Sequence, residues 1–326
     1  MFVSIAMATY NGEKYLQEQL DSFLSQTLFP DELVISDDGS TDATLAIIEK
    51  FSKVAPFSVQ IFRNETRLGY AENFGRAMAQ CSGDVVFLSD QDDFWFPEKL
   101  QSVCDVFKKN PHVWVVINDA EITDEFLEST GLTVFGQTQA AGLSPDDFIT
   151  GCCSAYRSSI SSVLLPIPSA THTHDGWLHI LALSFGCRQL LPKSLQLYRR
   201  HRNNTSGWVT SSTVPASPFK LQRRLFDAKN FRRNPVEACQ TRLLQLNVFL
   251  ERLLRHSASL LRDLPFPSEL KNALSRIEIL IAANMERKTL LMQPMPSRAL
   301  AAFQFYRNGG YSHFEGVKSL VKDVLR

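Results

Sequence analysis

The sequence lacks the features that mark several common classes of protein. Its six cysteines contain no Cys-x-x-Cys pair, which argues against a zinc site and favours buried, reduced thiols. No apolar run reaches the roughly 18 residues that span a bilayer. The first residues carry no basic segment of the kind that begins a signal peptide. We therefore expect a cytoplasmic chain without a membrane-spanning helix.

Two phosphate-binding motifs are missing as well. No Gly-x-Gly-x-x-Gly follows the first apolar strand, and no Gly-Lys-Ser/Thr occurs in the chain. Their absence argues against a dinucleotide-dependent dehydrogenase and against a P-loop enzyme. The charge of a phosphorylated ligand would then be balanced by a metal ion and by basic side chains. Arg67 is a candidate for such a side chain, and an ordinary solvated arginine is the alternative.

What is present is a long chain with a regular beginning. Its 326 residues are 44% hydrophobic and 21% charged, which is enough for two or three packed units. Short apolar runs alternate with helical periodicity over the first hundred residues, which predicts an α/β fold with a parallel sheet. The predicted strands are 2–8, 33–36, 59–62 and 84–89, and the predicted helices are 13–25, 43–52 and 69–80. Beyond them we predict strands at 113–117 and 148–156, a loop at 127–145 and a helix at 178–185.

Polar clusters follow three of the predicted strands. Residues 9–11 follow the first strand, Asp37 and Asp38 the second, and Asp90, Asp92 and Asp93 the fourth. Parallel sheets bind ligands at the carboxyl ends of their strands. Carboxylates this close repel one another, and oxygen ligands suit Mg²⁺ or Mn²⁺ shared with a phosphorylated ligand. The alternative is a polar loop in which Asp93 caps the helix that begins near Pro97.

Four ordered motifs resemble those of family 2 glycosyltransferases. They are Thr9-Tyr10-Asn11-Gly12-Glu13, Ser36-Asp37-Asp38-Gly39-Ser40-Thr41-Asp42, Asn64-x4-Gly69-x3-Asn73 and Asp90-Gln91-Asp92-Asp93. The resemblance covers residues 1 to about 205 and implies the GT-A fold, a nucleotide-sugar donor and inversion at the anomeric carbon. It implies a donor-binding half at 1–110 and an acceptor-binding half at 111–208. The charge and helical pattern of the remaining residues predict a basic, all-helical extension at 209–326.

The resemblance also implies roles for individual residues on the donor side. Thr9, Tyr10 and Glu13 would line the nucleotide pocket, and Asp37 and Asp38 would contact the base and the ribose. Asp90 and Asp92 would form the Asp-x-Asp element, with Asp92 as the direct metal ligand. The metal, Mg²⁺ or Mn²⁺, would neutralise charge on the departing nucleoside diphosphate.

On the acceptor side, the resemblance implies that Asp175 is the general base. The family has an acidic pair here, and this chain has His174 in the first position, which leaves the interactions that support the base undefined. By itself, an aspartate at the start of a helix is more often an N-cap. The segment Tyr198-Arg199-Arg200-His201 resembles a Tyr-Arg-x-His segment in which the histidine completes the metal site or touches the pyrophosphate. A surface histidine is the alternative for His201.

Residues 174–204 most resemble bacterial rhamnosyltransferases of surface polysaccharide assembly. This resemblance implies transfer of one sugar, such as rhamnose from dTDP-rhamnose, to a glycan or lipid-linked glycan, with no nucleic-acid partner. The processive signature Gln-x-x-Arg-Trp is absent, which favours single-sugar transfer. The alternatives are a UDP-hexose or N-acetylhexosamine transferase of the same fold, a sugar nucleotidylyltransferase, and a binding scaffold without activity. The nucleotidylyltransferase is disfavoured because the loop after the first strand has no basic glycine-rich motif.

The C-terminal third differs from the rest in charge. Residues 1–198 hold 12 Lys and Arg against 25 Asp and Glu, whereas residues 199–326 hold 22 against 9. After a Ser/Thr/Pro-rich linker at 209–217 we predict helices at 219–233, 236–263, 268–292 and 313–325. These helices either pack on the catalytic domain or attach the protein to the inner face of the membrane through basic amphipathic surfaces such as 219–233.

Overall fold

The structure is a computed structural model that describes residues 1–168, 171, 173–204, 211–218, 235–263, 267–314 and 316–325. The chain divides into two compact units, Met1–Leu221 and Gln222–Arg326. The subdivision of the first unit near residue 110, and the start of the extension at 209, stay predictions.

One sheet organises the first unit. Its nine strands among the described residues are β1 (Val3–Thr9), β2 (Glu32–Asp37), β3 (Ser58–Arg63), β4 (Val85–Ser89), β5 (Phe94–Trp95), β6 (Val115–Thr123), β7 (Ser129–Thr133), β8 (Ser154–Arg157) and β9 (Arg188–Arg199). The helices are α1 (Leu16–Leu24), α2 (Thr44–Ser52), α3 (Tyr70–Gln80), α4 (Lys99–Lys109), α5 (Val134–Ala140), α6 (Ser161–Leu164) and α7 (His174–Phe185).

The strands run in the order β3-β2-β1-β4-β8-β6-β9-β5, and β7 pairs with β6. The pairs β2–β3, β1–β2, β1–β4 and β6–β9 are parallel, whereas β5, β7 and β8 run antiparallel to their neighbours. The predicted α/β class with a mostly parallel sheet is therefore confirmed. The carboxyl ends of β1, β2 and β4 meet at one edge, as expected for parallel neighbours.

The central strands are buried because helices cover both faces of the sheet. β2 and β4 contain no exposed residue, which is why their sequences read as continuous apolar runs rather than as an alternation. Ile5, Ile35 and Phe87 belong to one hydrophobic core with residues of α1 and α4, including Phe23 and Phe107. This core holds the strand ends, and the polar residues that follow them, in a fixed position.

Two sequence-based predictions after residue 110 are wrong, and one strand was missed. The stretch 127–145 is not a loop, because it contains β7 and the short helix α5, whose N-cap Thr133 accepts a hydrogen bond from the Gly136 amide. The strand predicted at 148–156 is confined to β8, and a 3-10 turn, Gly151–Cys153, precedes it. The long strand β9 was not predicted. Pro192 interrupts its pattern, and its pairing with β6 shifts register between Leu191 and Ser194.

The second unit is helical where it is described, which confirms the predicted all-α extension. Its helices are α8 (Pro235–Asp263), α9 (Pro267–Leu291), α10 (Ser297–Arg307) and α11 (Val317–Leu325). Two match the predictions at 236–263 and 268–292, whereas α10 was not predicted and α11 begins four residues later than expected. The helix predicted at 219–233 lies outside the described residues. Among the helices that are described, none is long and apolar enough to cross a bilayer.

Candidate functional site

A cavity of about 1070 Å³ lies at the carboxyl ends of the parallel strands in the first unit. Eight of the ten predicted site residues line it: Thr9, Tyr10, Asp38, Arg67, Asp90, Asp92, Asp175 and His201. Glu13 and Asp37 do not. The side chain of Glu13 accepts a hydrogen bond from the Ala43 amide (2.9 Å) and so joins the loop after β1 to the start of α2.

The acids that follow β2 are already satisfied by the protein. Asp37 is fully buried, and its carboxylate accepts hydrogen bonds from the Thr9 hydroxyl (2.8 Å) and from the amide of Ser40 (2.8 Å). The Asp38 carboxylate accepts the amides of Leu68 (2.7 Å) and Gly69 (2.9 Å). Each hydrogen bond from a backbone amide stabilises the negative charge of the carboxylate, so no cation is needed for that purpose. These two aspartates therefore hold the loops beside the cavity in place.

The motif Asn64-x4-Gly69-x3-Asn73 has the same structural role. The Asn64 side chain donates to Asp38 (2.9 Å) and to the side chain of Asn73 (2.9 Å), which in turn donates to the Thr9 carbonyl (3.2 Å). Gly69 has a φ of 84°, a conformation that favours glycine. The motif thus joins the ends of β1, β2 and β3 into one hydrogen-bonded frame.

Tyr10 and Arg67 form the rim of this frame. The Arg67 guanidinium lies over the Tyr10 ring, 4.0 Å from its centroid, and its Nε is 4.0 Å from the Asp38 carboxylate. Its side chain is 65% exposed, so Arg67 is both a solvated arginine and a cation at the cavity wall. Gln91 pairs with both the amide (2.9 Å) and the carbonyl (3.1 Å) of Tyr10 and so connects the acidic loop after β4 to the loop after β1.

The acids that follow β4 are in a different electrostatic situation. Burial raises the pKa of Asp90 well above its ordinary value, and the charges of Asp92 and Asp93 raise it further. No amide among the described residues donates to the Asp90 carboxylate. Burial likewise raises the pKa of Asp93 to about 7, and the charge of Asp92 adds to the rise. On the cavity side, no cation balances the negative charge of this group of carboxylates among the described residues.

Asp92 and His201 are in direct contact. His201 Nε2 lies 2.7 Å from Asp92 Oδ2, and the Asn204 side chain donates to the same oxygen (3.2 Å). The other oxygen of Asp92 has no partner in the described part of the chain. The His201 ring also packs against Tyr15, with 4.6 Å between ring centroids. The structure thus brings together two residues that are 109 positions apart in sequence.

These donors fit a hard divalent cation. Asp90 and Asp92 offer carboxylate oxygens and His201 an imidazole nitrogen, a set that suits Mg²⁺ or Mn²⁺. Asp90, Asp93 and Cys152 also lie within 4.8 Å of one another. However, Asp93 is fully buried, and burial raises the pKa of the Cys152 thiol well above its ordinary value, so it stays protonated. Asp92 and His201, which line the cavity, are therefore better placed to bind metal than Asp93 and Cys152.

A buried lysine lies behind the acidic loop. Lys99 is fully buried, donates to the Cys152 carbonyl (2.7 Å) and to the Gln196 side chain, and sits over the Trp95 ring. Gln196 in turn donates to the Asp93 carboxylate (2.9 Å). Burial lowers the pKa of Lys99 to about 8. Asp93 does not cap α4, whose N-cap is Glu98, so the alternative interpretation of Asp93 as a helix cap is wrong.

Arg199 supports the same loop from the other side and is only 2% exposed. Its guanidinium donates to the backbone carbonyls of Asp92 (2.8 Å) and Glu125 (2.7 Å) and to the Glu18 carboxylate. Its backbone amide donates to the Asp93 carboxylate (3.1 Å), and its guanidinium stacks on Tyr15. A buried guanidinium carries several N–H donors and can form hydrogen bonds with several chain segments at once. Arg199 therefore positions the backbone that carries Asp92.

Asp175 lies on the acceptor side of the cavity, in the first turn of α7. Burial opposes its ionisation. Interaction with the protonated form of His174, together with hydrogen bonds from Thr173 and the Gly176 amide (2.7 Å), outweighs burial and keeps the pKa of Asp175 below the ordinary value. Thr173, rather than Asp175, is the N-cap of the helix. Asp175 is close enough to Asp90 for its charge to contribute to the raised pKa of Asp90.

His174 packs beside this carboxylate. Its ring stacks on Phe74 with 3.9 Å between centroids, and burial lowers its pKa, so it is neutral at neutral pH. Gly151 is needed here because a Cβ at this position would lie 2.6 Å from His174 Nε2. The glycine at 151 therefore permits this tight internal packing.

Four residues of the site were missed by sequence reasoning: Gln91, Lys99, Gln196 and Arg199. Gln91 lies inside the Asp90–Asp93 motif and Arg199 inside the Tyr-Arg-x-His segment, so these two residues could have been identified from their motifs. Lys99 and Gln196 are 97 residues apart, and neither belongs to a recognisable pattern.

Comparisons with known proteins agree with this geometry. The model of the family described as "Glycosyl transferase family 2" matches residues 4–165. The dTDP-rhamnosyl transferase RfbG of Shigella flexneri is 39% identical over 221 residues, which cover 62% of this chain and 73% of that protein. An uncharacterized protein of Mycobacterium bovis is 31% identical over 208 residues, and the match spans 61% of this chain but only 59% of that relative.

Among solved structures, S. aureus TarS 1-349 in complex with UDP is similar over 96% of this chain and 89% of that chain. Its TM-score is 0.54 and its sequence identity 18%. At this level of identity the likeness concerns the fold, and the predicted GT-A fold is confirmed.

Proposed function

The chain belongs to glycosyltransferase family 2, and from that premise we propose that it is a divalent-metal-dependent, inverting transferase that moves one sugar from a nucleotide-sugar donor to an acceptor hydroxyl. The observation that carries the proposal is the unequal state of the acids around the cavity. Burial and the neighbouring acids raise the pKa of Asp90 on one side, while Asp175 keeps a low pKa on the other. A donor diphosphate with its cation and an acceptor hydroxyl would need these two environments.

In this proposal, Asp90, Asp92 and His201 would hold Mg²⁺ or Mn²⁺. The bound ion would neutralise negative charge on the departing nucleoside diphosphate. Tyr10 and Arg67 would face the nucleotide, with Thr9 and Asp38 lining the same wall. Glu13 and Asp37, which lie off the cavity, would act through the loops that they hold. The proposal gives them no direct contact with the donor.

Asp175 would take the proton from the acceptor hydroxyl as that oxygen attacks the anomeric carbon. Because its pKa lies below the ordinary value, Asp175 is ionised at neutral pH and can accept a proton. One base on the face opposite the leaving group is what single displacement with inversion requires. His174, which is neutral and stacked, adds no competing charge beside the base.

The donor and the acceptor can be proposed at a finer level. The 39% identity to a dTDP-rhamnosyl transferase supports dTDP-rhamnose as the donor, with a glycan or lipid-linked glycan of surface polysaccharide assembly as the acceptor. The six free cysteines support a cytoplasmic location, where thiols stay reduced. Contact with the inner membrane surface through the basic C-terminal helices remains part of the proposal.

The test is a donor screen with the purified chain. Nucleoside diphosphate release would be measured from dTDP-rhamnose, UDP-glucose and UDP-N-acetylglucosamine, with Mn²⁺ or with EDTA, in the presence of glycan and lipid-linked glycan acceptors. We expect release from dTDP-rhamnose that needs both Mn²⁺ and acceptor. Release from a UDP-sugar alone would overturn the donor assignment, and equal release in EDTA would overturn metal dependence.

A further inference from the structure

The second unit exposes an unusual number of large apolar side chains in one stretch. Met292 and Met295, in the turn before α10, are 68% and 52% exposed, and Leu300 and Phe303 on α10 are 73% and 56% exposed. Single exposed apolar residues are common on protein surfaces, but contiguous apolar patches mark interaction sites. We call this stretch the 292–307 surface.

Helix α10 is apolar on two opposite faces. Ala302 and Phe305 point into the core of the second unit, where Phe305 packs edge-on against Tyr311. Leu300 and Phe303 lie about half a turn away on the opposite face, together with Arg307. A helix with apolar residues on two opposite faces is normally buried on both. The core of the second unit covers the face with Ala302 and Phe305, but it does not cover the face with Leu300 and Phe303.

The charge around this surface has one sign. Residues 287–314 contain four Arg and Lys and no Asp or Glu. Arg287 is paired with Asp323 in the core (2.8 Å), but Lys288, Arg298 and Arg307 form no ion pair with any described residue. The second unit as a whole has 18 Lys and Arg against 9 Asp and Glu, whereas the first has 16 against 25. The apolar patch therefore lies in the cationic unit, among cations that have no acidic partner.

We propose that the 292–307 surface docks on a membrane that contains anionic phospholipid. Met292, Met295, Leu300 and Phe303 would enter the boundary between headgroups and acyl chains, and the exposed Arg307 would face lipid phosphates. This inference rests on the membrane contact included in the proposed function, but it does not depend on the transferase activity itself. It assigns the membrane contact to residues other than the 219–233 segment.

The main competing occupant is a second copy of this chain. A two-fold symmetric contact would place the same residues of both copies against each other. It would bring Arg307 near its own symmetry mate with no acid among residues 287–314 to balance the two charges. Anionic phosphates provide the opposite charge that a second copy lacks.

The test is cosedimentation of the full chain with two kinds of vesicle, phosphatidylcholine alone and an equimolar mixture of phosphatidylcholine and phosphatidylglycerol. Three variants are compared with the wild type: Leu300→Gln with Phe303→Gln, Arg307→Gln, and Ile279→Gln. Ile279 is the matched control because it is 51% exposed on α9, outside the surface. All substituted side chains are exposed, and unchanged thermal unfolding would confirm that the variants fold.

We expect binding to the anionic vesicles only, lost at high salt. Leu300→Gln/Phe303→Gln should weaken it about tenfold, because the apolar insertion is removed. Arg307→Gln should weaken it too and reduce its salt dependence, while Ile279→Gln binds like the wild type. Equal binding to both vesicles, no binding by the wild type, or unchanged binding by the Leu300/Phe303 variant would overturn the proposal. A dimer in light scattering that this variant abolishes would assign the surface to a second copy instead.

Discussion

Two pairs of aspartates lie at the carboxyl ends of β2 and β4, the parallel strands on either side of β1, and look alike in sequence, yet the structure treats them differently. Asp37 and Asp38, after β2, accept hydrogen bonds from the backbone and from hydroxyl groups of their own frame. Asp90 and Asp92, after β4, receive no backbone amide among the described residues. Burial and mutual repulsion raise the pKa of Asp90. The first pair holds the loops beside the cavity in place, and the second pair is available to bind a cation.

The difference shows that the position of an acid at a strand end does not determine its role. What separates the pairs is the number of protein donors that already reach each carboxylate. Asp175 is a third case, since hydrogen bonds and a neighbouring histidine lower its pKa despite its burial. Substitutions at these positions should therefore differ in kind.

Asp175→Asn should have the largest effect, because it removes the proposed base while preserving shape. We expect transfer to fall by about 10²–10⁴-fold. Mn²⁺ affinity, measured by isothermal titration with nucleoside diphosphate present, should be unchanged. Normal turnover by this variant would show that the base lies elsewhere.

Asp92→Asn should remove the metal and leave the fold intact. We expect transfer to fall by about 10²–10³-fold, as for loss of electrostatic stabilisation of a leaving group. Unlike Asp175→Asn, it should also abolish the Mn²⁺ dependence of nucleoside diphosphate binding.

The matched control for Asp92 is Asp37→Ala. Loss of the acceptor for the Ser40 amide should lower the free energy of unfolding by about 1–3 kcal/mol. Mn²⁺ affinity of the folded protein should stay close to that of the wild type. If Asp37→Ala lost Mn²⁺ and Asp92→Asn lost only stability, the comparison between the two pairs would be reversed.

Arg199→Lys should act through the Asp92 backbone. Lysine keeps the charge but cannot donate to the Asp92 carbonyl, the Glu125 carbonyl and Glu18 at once. Mn²⁺ affinity should fall about 10–100-fold, as for other groups that orient metal ligands. Glu18→Gln, which removes only the outer partner, is the control and should change affinity little. Equal affinities in both variants would remove the positioning role.

The smallest effect concerns pH and stability without metal. The pKa of Asp93 is raised to about 7 in the folded protein, so the folded state binds more protons than the unfolded state between about pH 4 and 7. The contribution of Asp93 to stability should therefore fall as pH rises through that window. In EDTA, the melting temperature of Asp93→Asn minus that of the wild type should increase from pH 5 to pH 7 and then level off. A difference that shrinks as pH rises would contradict the raised pKa.

Much of the fold could be predicted because the first hundred residues carry regular patterns. Buried parallel strands read as short apolar runs, and amphipathic helices separate them, so β1 to β4 and α1 to α3 were found. β9 was missed because Pro192 and a register shift break its pattern. α5 was missed because seven residues are too few for a clear helical period.

The candidate site was predictable as far as its motifs extend. The structure brings the predicted residues Asp38, Asp90, Asp92, Asp175 and His201 to one cavity, but not Asp37. The distinction between Asp37 and Asp92 was not predictable, because it depends on donors such as the Ser40 amide that only the folded loop brings near. The buried partners Lys99 and Gln196 are distant in sequence and match no pattern. Such contacts are set by the packing of whole elements.

The central claim is that the acids after β4, and not those after β2, hold a divalent cation. The most direct measurement is the anomalous signal of Mn²⁺ in a crystal grown with MnCl₂ and a nucleoside diphosphate. The account predicts one strong peak in contact with Asp92, beside Asp90 and His201. A peak at Asp37 or Asp38, or none in this cavity while the diphosphate is bound, would contradict it.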